Sequence, residues 1–179
     1  MEADQMLITV DPQDRPTGVM EKMRAHREGV LHRAFSVFVF DDANRLLLQR
    51  RATQKYHSGG LWSNTCCSHP RPGEPVLQAA RRRLGEEMGF DCALEAAFSF
   101  VYRAELDSGL LEHEYDHVLI GRFSGDPAPD PAEVGAWSWE AVADIEARLS
   151  SRPDDYTVWF RIAFGELVAR GLHAHRAGQ

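Results

Sequence analysis

The stretch Glu74-Pro75-Val76-Leu77-Gln78-Ala79-Ala80-Arg81-Arg82-Arg83-Leu84-Gly85-Glu86-Glu87-Met88-Gly89-Phe90 decides how the rest of the chain is read. It predicts a helix over Pro75 to Met88. Proline suits a first turn, where its missing N–H and fixed φ cost nothing. Val76, Ala80, Leu84 and Met88 recur every four residues as one apolar stripe, and Gly89 can adopt the left-handed conformation that stops a helix. The opposite face carries Arg82, Arg83, Glu86 and Glu87. Taken alone, Arg83 and Glu87 make a solvated i,i+4 pair worth about 0.3–0.5 kcal/mol. These charges therefore acquire meaning only from their surroundings.

Strand signals flank the helix. Phe35 to Phe40 is aromatic and β-branched, and after the turn Asp41-Asp42-Ala43-Asn44 the run Leu46 to Gln49 follows, which predicts a hairpin. Further strands are expected over Ala97 to Arg103, Glu114 to Phe123 and Trp137 to Trp139, and a terminal helix over Tyr156 to Leu172. Strands around a central helix, with a second helix at the end, give an α/β or α+β sandwich in which a mixed sheet lies between helices. No Gly-rich βα turn is present, which argues against a dinucleotide-binding doubly wound sheet. The breaker-rich stretch Ser124 to Pro131 reads as a loop, so residues 1–179 form one expected domain.

A formal net charge of −7 argues against nucleic acid or an anionic membrane surface as partner, so any anionic ligand must be held by a local group of cations. Met1 to Val10 lacks both a basic leader and a long apolar run. The three cysteines, Cys66, Cys67 and Cys92, include one adjacent pair and fit free thiols in a reducing compartment. A cytoplasmic protein, monomer or homodimer, is expected.

Ahead of the helix, Trp62-Ser63-Asn64-Thr65-Cys66-Cys67-Ser68-His69-Pro70 sets a thiol two residues from an imidazole. A lone histidine among eight is more often a surface or satisfied core residue than a ligand. Neutral imidazole suits zinc or manganese only where three or more donors converge from separate segments. If residues 112–117 are extended, Glu112 and Glu114 share one face, whereas His113 and His117 point to the other. His113 and His117 are set aside on that ground, as are His57, His173 and His175.

Ser68, Glu74, Arg82, Arg83, Leu84, Glu86, Glu87, Gly89 and Phe90 occupy the spacing of a Nudix box. Two positions depart from it: Ser68 stands where the box has Gly, and Arg83 where it has a metal-binding Glu, which counts against pyrophosphate hydrolysis. Pro16-Thr17-Gly18, Leu31 to Ser36, Arg50-Arg51-Ala52, Trp62-Ser63-Asn64 and Cys67-Ser68-His69-Pro70 narrow the match. From about Ile8 to Trp159 the chain resembles the type I isopentenyl-diphosphate isomerases, which have a Nudix-like sandwich fold.

The resemblance implies a catalytic set of Cys67, Glu114, Tyr102 and Trp159. It implies a divalent ion, Mn2+, Zn2+ or Mg2+, at His26, His32, His69, Glu112 and Glu114, and Mg2+ bridging Glu87 to the substrate diphosphate. Lys22, Arg51, Lys55 and Arg83 are implied to neutralise that diphosphate. The expected partner is a small allylic or homoallylic diphosphate, and the expected reaction is a 1,3-proton shift through a tertiary carbocation, with Cys67 and Glu114 as the acid–base pair. Residue chemistry alone does not separate Cys66 from Cys67; the match to the family's Cys-Gly-His-Pro selects Cys67. A hydrolase would need more helix carboxylates, and a structural zinc module would need paired Cys-x-x-Cys knuckles.

Overall fold

The structure, a computed structural model, describes residues 5–106 and 109–174, so His175 lies outside the described residues. Its spine is β3 (His32–Phe40), which is buried on both faces. Strand alternation splits this run. Phe35, Val37 and Val39 face one core, while Phe38 and Phe40 face another. β8 (Leu111–Arg122) lies parallel to β3 in unbroken register from His32 opposite Glu114 to Phe40 opposite Arg122. β7 (Leu94–Glu105) pairs antiparallel with β8, so the nine-stranded sheet is mixed, as expected.

α2 (Val76–Met88) covers one face through Ala79, Ala80, Leu84 and Met88. Burying Leu84 there contributes on the scale of a Leu→Ala loss, about 2–5 kcal/mol. Pro75 stands just outside the helix, with extended ψ, and Gly89 closes it at φ 74°. On the other face Ile145 of α3 (Val142–Ser151) and Phe160, Ala163, Phe164 and Leu167 of α4 (Val158–Ala169) pack on Phe38, Leu46, Leu48, Val118 and Ile120. The sheet lies between helices.

The expected hairpin forms only at its base. β3 meets β4 (Arg45–Arg51) at Phe40 and Leu46 alone, and β4 then pairs with β9 (Val134–Ala141) along its length. Thr65 is the wedge: its hydroxyl accepts from Val39 N–H at 2.9 Å and donates to Leu47 C=O at 2.7 Å. Beside it β5 (Trp62–Ser63) joins β4 and β6 (Cys66–Ser68) joins β3.

Three features escaped sequence reading. β1 (Met6–Val10) and β2 (Pro16–Glu21) form an edge hairpin whose second strand is largely exposed, so it lacks an alternating apolar signal. α1 (Lys22–Glu28) is a single polar segment held by its ends: the Glu21 carboxylate accepts from Met23 and Arg24 N–H at 2.8 Å, and Gly29 closes it at φ 64°. α3 turns only Val142, Ile145 and Leu149 to the core, a stripe of three apolar residues in ten that is short enough to pass unread.

Candidate active site

Between β3, β6, β7, β8 and the start of α4 lies a cavity of about 70 Å3. It shares Lys22, Lys55, Arg83 and Glu133 with an adjoining chamber of about 310 Å3 that Arg71 also borders. Every proposed catalytic and diphosphate-contacting residue lines the inner cavity, as do His69, Glu87, Glu112 and Glu114. His26 and His32 sit behind that wall, fully buried.

The histidines arrive from three elements. His26 lies on α1, four residues after Lys22, whose carbonyl is 2.7 Å from His26 Nδ1. His32 opens β3 with Nδ1 2.8 Å from Val30 C=O. These bonds place a proton on each Nδ1 and leave each Nε2 turned toward the other donors. Neither Nε2 has a hydrogen-bond partner, although both are buried. His69 Nε2 is 3.0 Å from Glu114 Oε1, and His32 Nε2 is 3.6 Å from the same oxygen. One ligand atom from each of His26, His32, His69 and Glu114 falls within 4.8 Å of the others. Glu112 borders this group, its Oε1 3.8 Å from His26 Nε2. Burial and then the charge of Lys22 push the His69 pKa far down, so its imidazole is neutral. Three convergent imidazoles with one carboxylate are a donor set suited to a borderline divalent ion, and the orphaned Nε2 atoms fit such an ion.

On β8 the alternation is as expected: Glu112, Glu114 and Asp116 are buried, while His113 and His117 face away. His113 Nδ1 lies 2.9 Å from Gly29 C=O and His117 Nε2 3.0 Å from the Asp14 carboxylate. Tyr102, on β7 directly opposite Glu114, donates to Glu114 Oε2 at 2.7 Å. Burial alone raises a carboxyl pKa. At Glu114 the nearby His32 imidazole and the bond from Tyr102 overcome it and hold the group low, whereas burial and the Glu114 charge raise Glu112. Of the two carboxyls, Glu114 is therefore the more acidic.

Pleating separates the two adjacent thiols. Cys66 points under α2 into the core and is fully buried, while Cys67, opposite Ser36 on β3, lines the cavity. Burial pushes the Cys67 thiol up to about 12, against the opposing pull of Arg51, so it keeps its proton at neutral pH.

Arg51 and Arg83 each present a buried Nε without a partner, which is a costly arrangement unless an acceptor arrives. Arg83 holds Glu87 at 2.6 Å, and Gln49 Nε2 donates to the other Glu87 oxygen at 2.9 Å. Lys55 is paired with Glu133, and Lys22 Nζ stands 5.3 Å from the centre of the Tyr56 ring. Trp159 has the Arg51 guanidinium 5.1 Å from its ring centre.

Sequence reading missed four contributors. His57, set aside there, is part of the cavity wall, with its ring edge-on to Trp159 at 5.5 Å and to Tyr56 at 4.4 Å. Burial and then Arg51 lower its pKa to about 3, so it adds a neutral ring. Glu133 reaches both Lys55 and Arg83. Ser36 and Tyr56 also line the cavity, Ser36 donating to the buried Asp116 carboxylate behind it at 2.8 Å. Only the neighbourhood of Lys55 and Arg51 hinted at Tyr56 and His57.

A NUDIX domain model matches residues 30–160. The chain is 56% identical over 175 residues, 97% of its length and 99% of the relative's, to a Burkholderia multivorans protein named isopentenyl-diphosphate Delta-isomerase. It is 54% identical over 166 residues, 93% of its length and 94% of the relative's, to isopentenyl-diphosphate Delta-isomerase 1 of Aromatoleum aromaticum. Among solved structures, one of a Deinococcus radiodurans protein superposes at TM-score 0.70 with 18% identity, covering 82% of this chain and 90% of that one. That likeness establishes the Nudix fold and nothing finer. With a Nudix domain over most of its length and relatives at more than half identity end to end, the chain belongs to the isopentenyl-diphosphate Delta-isomerase family of Nudix-fold proteins.

Proposed function

We propose that this protein interconverts isopentenyl and dimethylallyl diphosphate, with Cys67 and Glu114 as its proton-transfer pair. The observation that carries this reading is the convergence, on one buried cavity, of a protonated thiol, an ionised carboxylate and an aromatic wall, beneath a chamber lined by cations. In the forward direction a proton is added to C4 of the terminal alkene, positive charge develops at C3, and a proton leaves C2 to place the double bond between C2 and C3. The reverse direction exchanges the two roles. No redox equivalent is consumed.

An unactivated alkene yields a tertiary cation only where water is excluded and charge is stabilised. Trp159, Tyr56 and His57 supply neutral ring surfaces, and a desolvated cation–π contact contributes about 2 kcal/mol. Tyr102 supports Glu114 in its ionised form through the 2.7 Å bond. Lys22, Arg51, Lys55 and Arg83 are assigned to the diphosphate, and the orphaned Nε atoms of Arg51 and Arg83 support that assignment.

A divalent ion held by His26, His32, His69, Glu112 and Glu114 would supply a fixed positive charge that orients Glu114 and lowers the affinity of its carboxyl for protons. Mn2+, Zn2+ and Mg2+ are the candidates. Glu87 has spare lone pairs on both oxygens beside its bonds to Arg83 and Gln49 and is assigned to a magnesium ion shared with the diphosphate, a donor set magnesium favours. Arg83 weighs against the hydrolase reading, because a guanidinium occupies the place of a helix carboxylate and engages the next one. The free thiols support a cytoplasmic location and the net charge of −7 a small-molecule rather than nucleic-acid partner. Among the described residues no helix is long and apolar enough to cross a membrane.

The test is to incubate purified, metal-loaded protein with isopentenyl diphosphate and magnesium. Dimethylallyl diphosphate should form without release of phosphate or pyrophosphate, and Cys67→Ala and Glu114→Gln should each lower kcat by about 10²-fold or more. Full activity in either variant would remove that residue from the pair.

A further inference from the structure

Trp159 is the second residue of α4, and an indole at the start of a helix can swing unless something fixes its plane. Here its Nε1–H donates to Ser63 Oγ at 2.9 Å. Ser63 Oγ donates in turn to Asn64 Oδ1 at 3.0 Å, and Asn64 Nδ2 donates to Cys66 C=O at 2.7 Å. This bonded path runs from the aromatic wall to the peptide unit immediately before Cys67. Thr157 braces it from the helix side. Its hydroxyl lies 3.1 Å from Ser63 Oγ and accepts from Phe160 N–H at 3.4 Å, while Thr157 N–H donates to Trp62 C=O at 2.9 Å. Ser63, Asn64, Thr157 and Trp159 are all buried.

With Thr157 and Trp159 both donating to it and Asn64 accepting from it, the Ser63 hydroxyl uses one donor and two acceptor sites, its full capacity. Alanine offers none of these and a thiol only weak versions of them. Threonine offers all three at the same distance along the side chain.

We propose that Ser63 is a positioning residue for the isomerisation. It locks the Trp159 ring at a fixed separation from Cys67, so that charge developing on the substrate lies between ring and thiol. This rests on the proton-transfer reading given above. The segment Trp62 to His69 then carries the thiol and a metal-ligand candidate, and also sets the aromatic wall relative to them.

The test compares kcat and KM for isopentenyl diphosphate in Ser63→Ala, Ser63→Thr, Trp159→Phe and the double variant Ser63→Ala/Trp159→Phe. Displacement of a reacting contact by a fraction of an ångström is expected to lower kcat in Ser63→Ala by about tenfold, with KM changed by no more than about twofold. Ser63→Thr should stay within about twofold of the parent. In the Trp159→Phe background, where no indole N–H remains to be held, Ser63→Ala should cost nothing further. Parental kcat in Ser63→Ala, or the same loss with and without the indole, overturns the proposal. If Ser63→Ala does not fold, Ser63→Cys carries the same expectation and the same refutation. Hydrogen exchange of the Trp159 indole N–H, assigned by its loss in Trp159→Phe, is read independently of activity. It should be slow in the parent and in Ser63→Thr, and faster in Ser63→Ala or Ser63→Cys. Unchanged exchange overturns the positioning claim, whereas a parent without isomerase activity overturns the proton-transfer reading beneath it.

Discussion

The buried histidines make metal removal a quantitative experiment on the fold as well as the chemistry. His26 and His32 each bury an Nε2 that lacks any protein partner. A buried polar atom left unsatisfied costs about 1–3 kcal/mol, so without an ion these two atoms destabilise the fold by about 2–6 kcal/mol. An ion that accepts both lone pairs offsets that cost and adds its own binding free energy by mass action. In a chain of 179 residues, 1 kcal/mol moves Tm by about 2–4 °C, so stripping the ion should lower Tm by at least about 4 °C. The assay is calorimetry of metal-loaded and chelator-treated protein, with metal content measured on the same samples. His69→Ala removes a ligand without creating an orphaned atom of its own. It should lose the ion at equal chelator and show little difference between loaded and stripped Tm. A stripped protein as stable as the loaded one, or a His69→Ala variant retaining one equivalent of metal, refutes the ligand set.

Three further outcomes follow. Tyr102→Phe removes the 2.7 Å bond that favours ionised Glu114. The Glu114 pKa should rise, and the acid limb of the kcat profile should move to higher pH; an unmoved limb shows that the Tyr102 bond does not set the proton affinity of Glu114. Arg51→Lys keeps the charge but loses the planar group placed over Trp159, and KM should rise about tenfold, the scale of one charged hydrogen bond; an unchanged KM argues that Arg51 serves the ring alone. With its thiol at about 12, Cys67 should alkylate more slowly than a free cysteine at pH 7 and speed up by about tenfold per pH unit to pH 9. Rapid alkylation at pH 7 would show a thiolate instead.

Residue chemistry alone made one strand of the candidate site legible, through its pleating, while the other residues came from the resemblance to the isomerase family. The spacing of Glu112 and Glu114 set them on one face and expelled His113 and His117, as the bonds of those histidines to Gly29 and Asp14 now show. The stripe Ala80, Leu84, Met88 likewise gave α2 and the face it buries. What stayed hidden depends on distant segments meeting. Ser63 gains meaning only where β5 touches the start of α4, and Glu133 only where a loop after α2 and β8 returns to Lys55 and Arg83. His57 sits in a loop with no periodicity to orient it, so nothing local marked it as facing the cavity. The two cysteines were inseparable by chemistry and are separated by the pleat of a three-residue strand.

The most direct measurement is isotope incorporation from deuterated water during incubation with isopentenyl diphosphate. The account predicts deuterium in the methyl group derived from C4 and, through the reverse reaction, at C2, with the diphosphate intact and with incorporation abolished in Cys67→Ala and Glu114→Gln. Release of phosphate or pyrophosphate without deuterium at either carbon would contradict it.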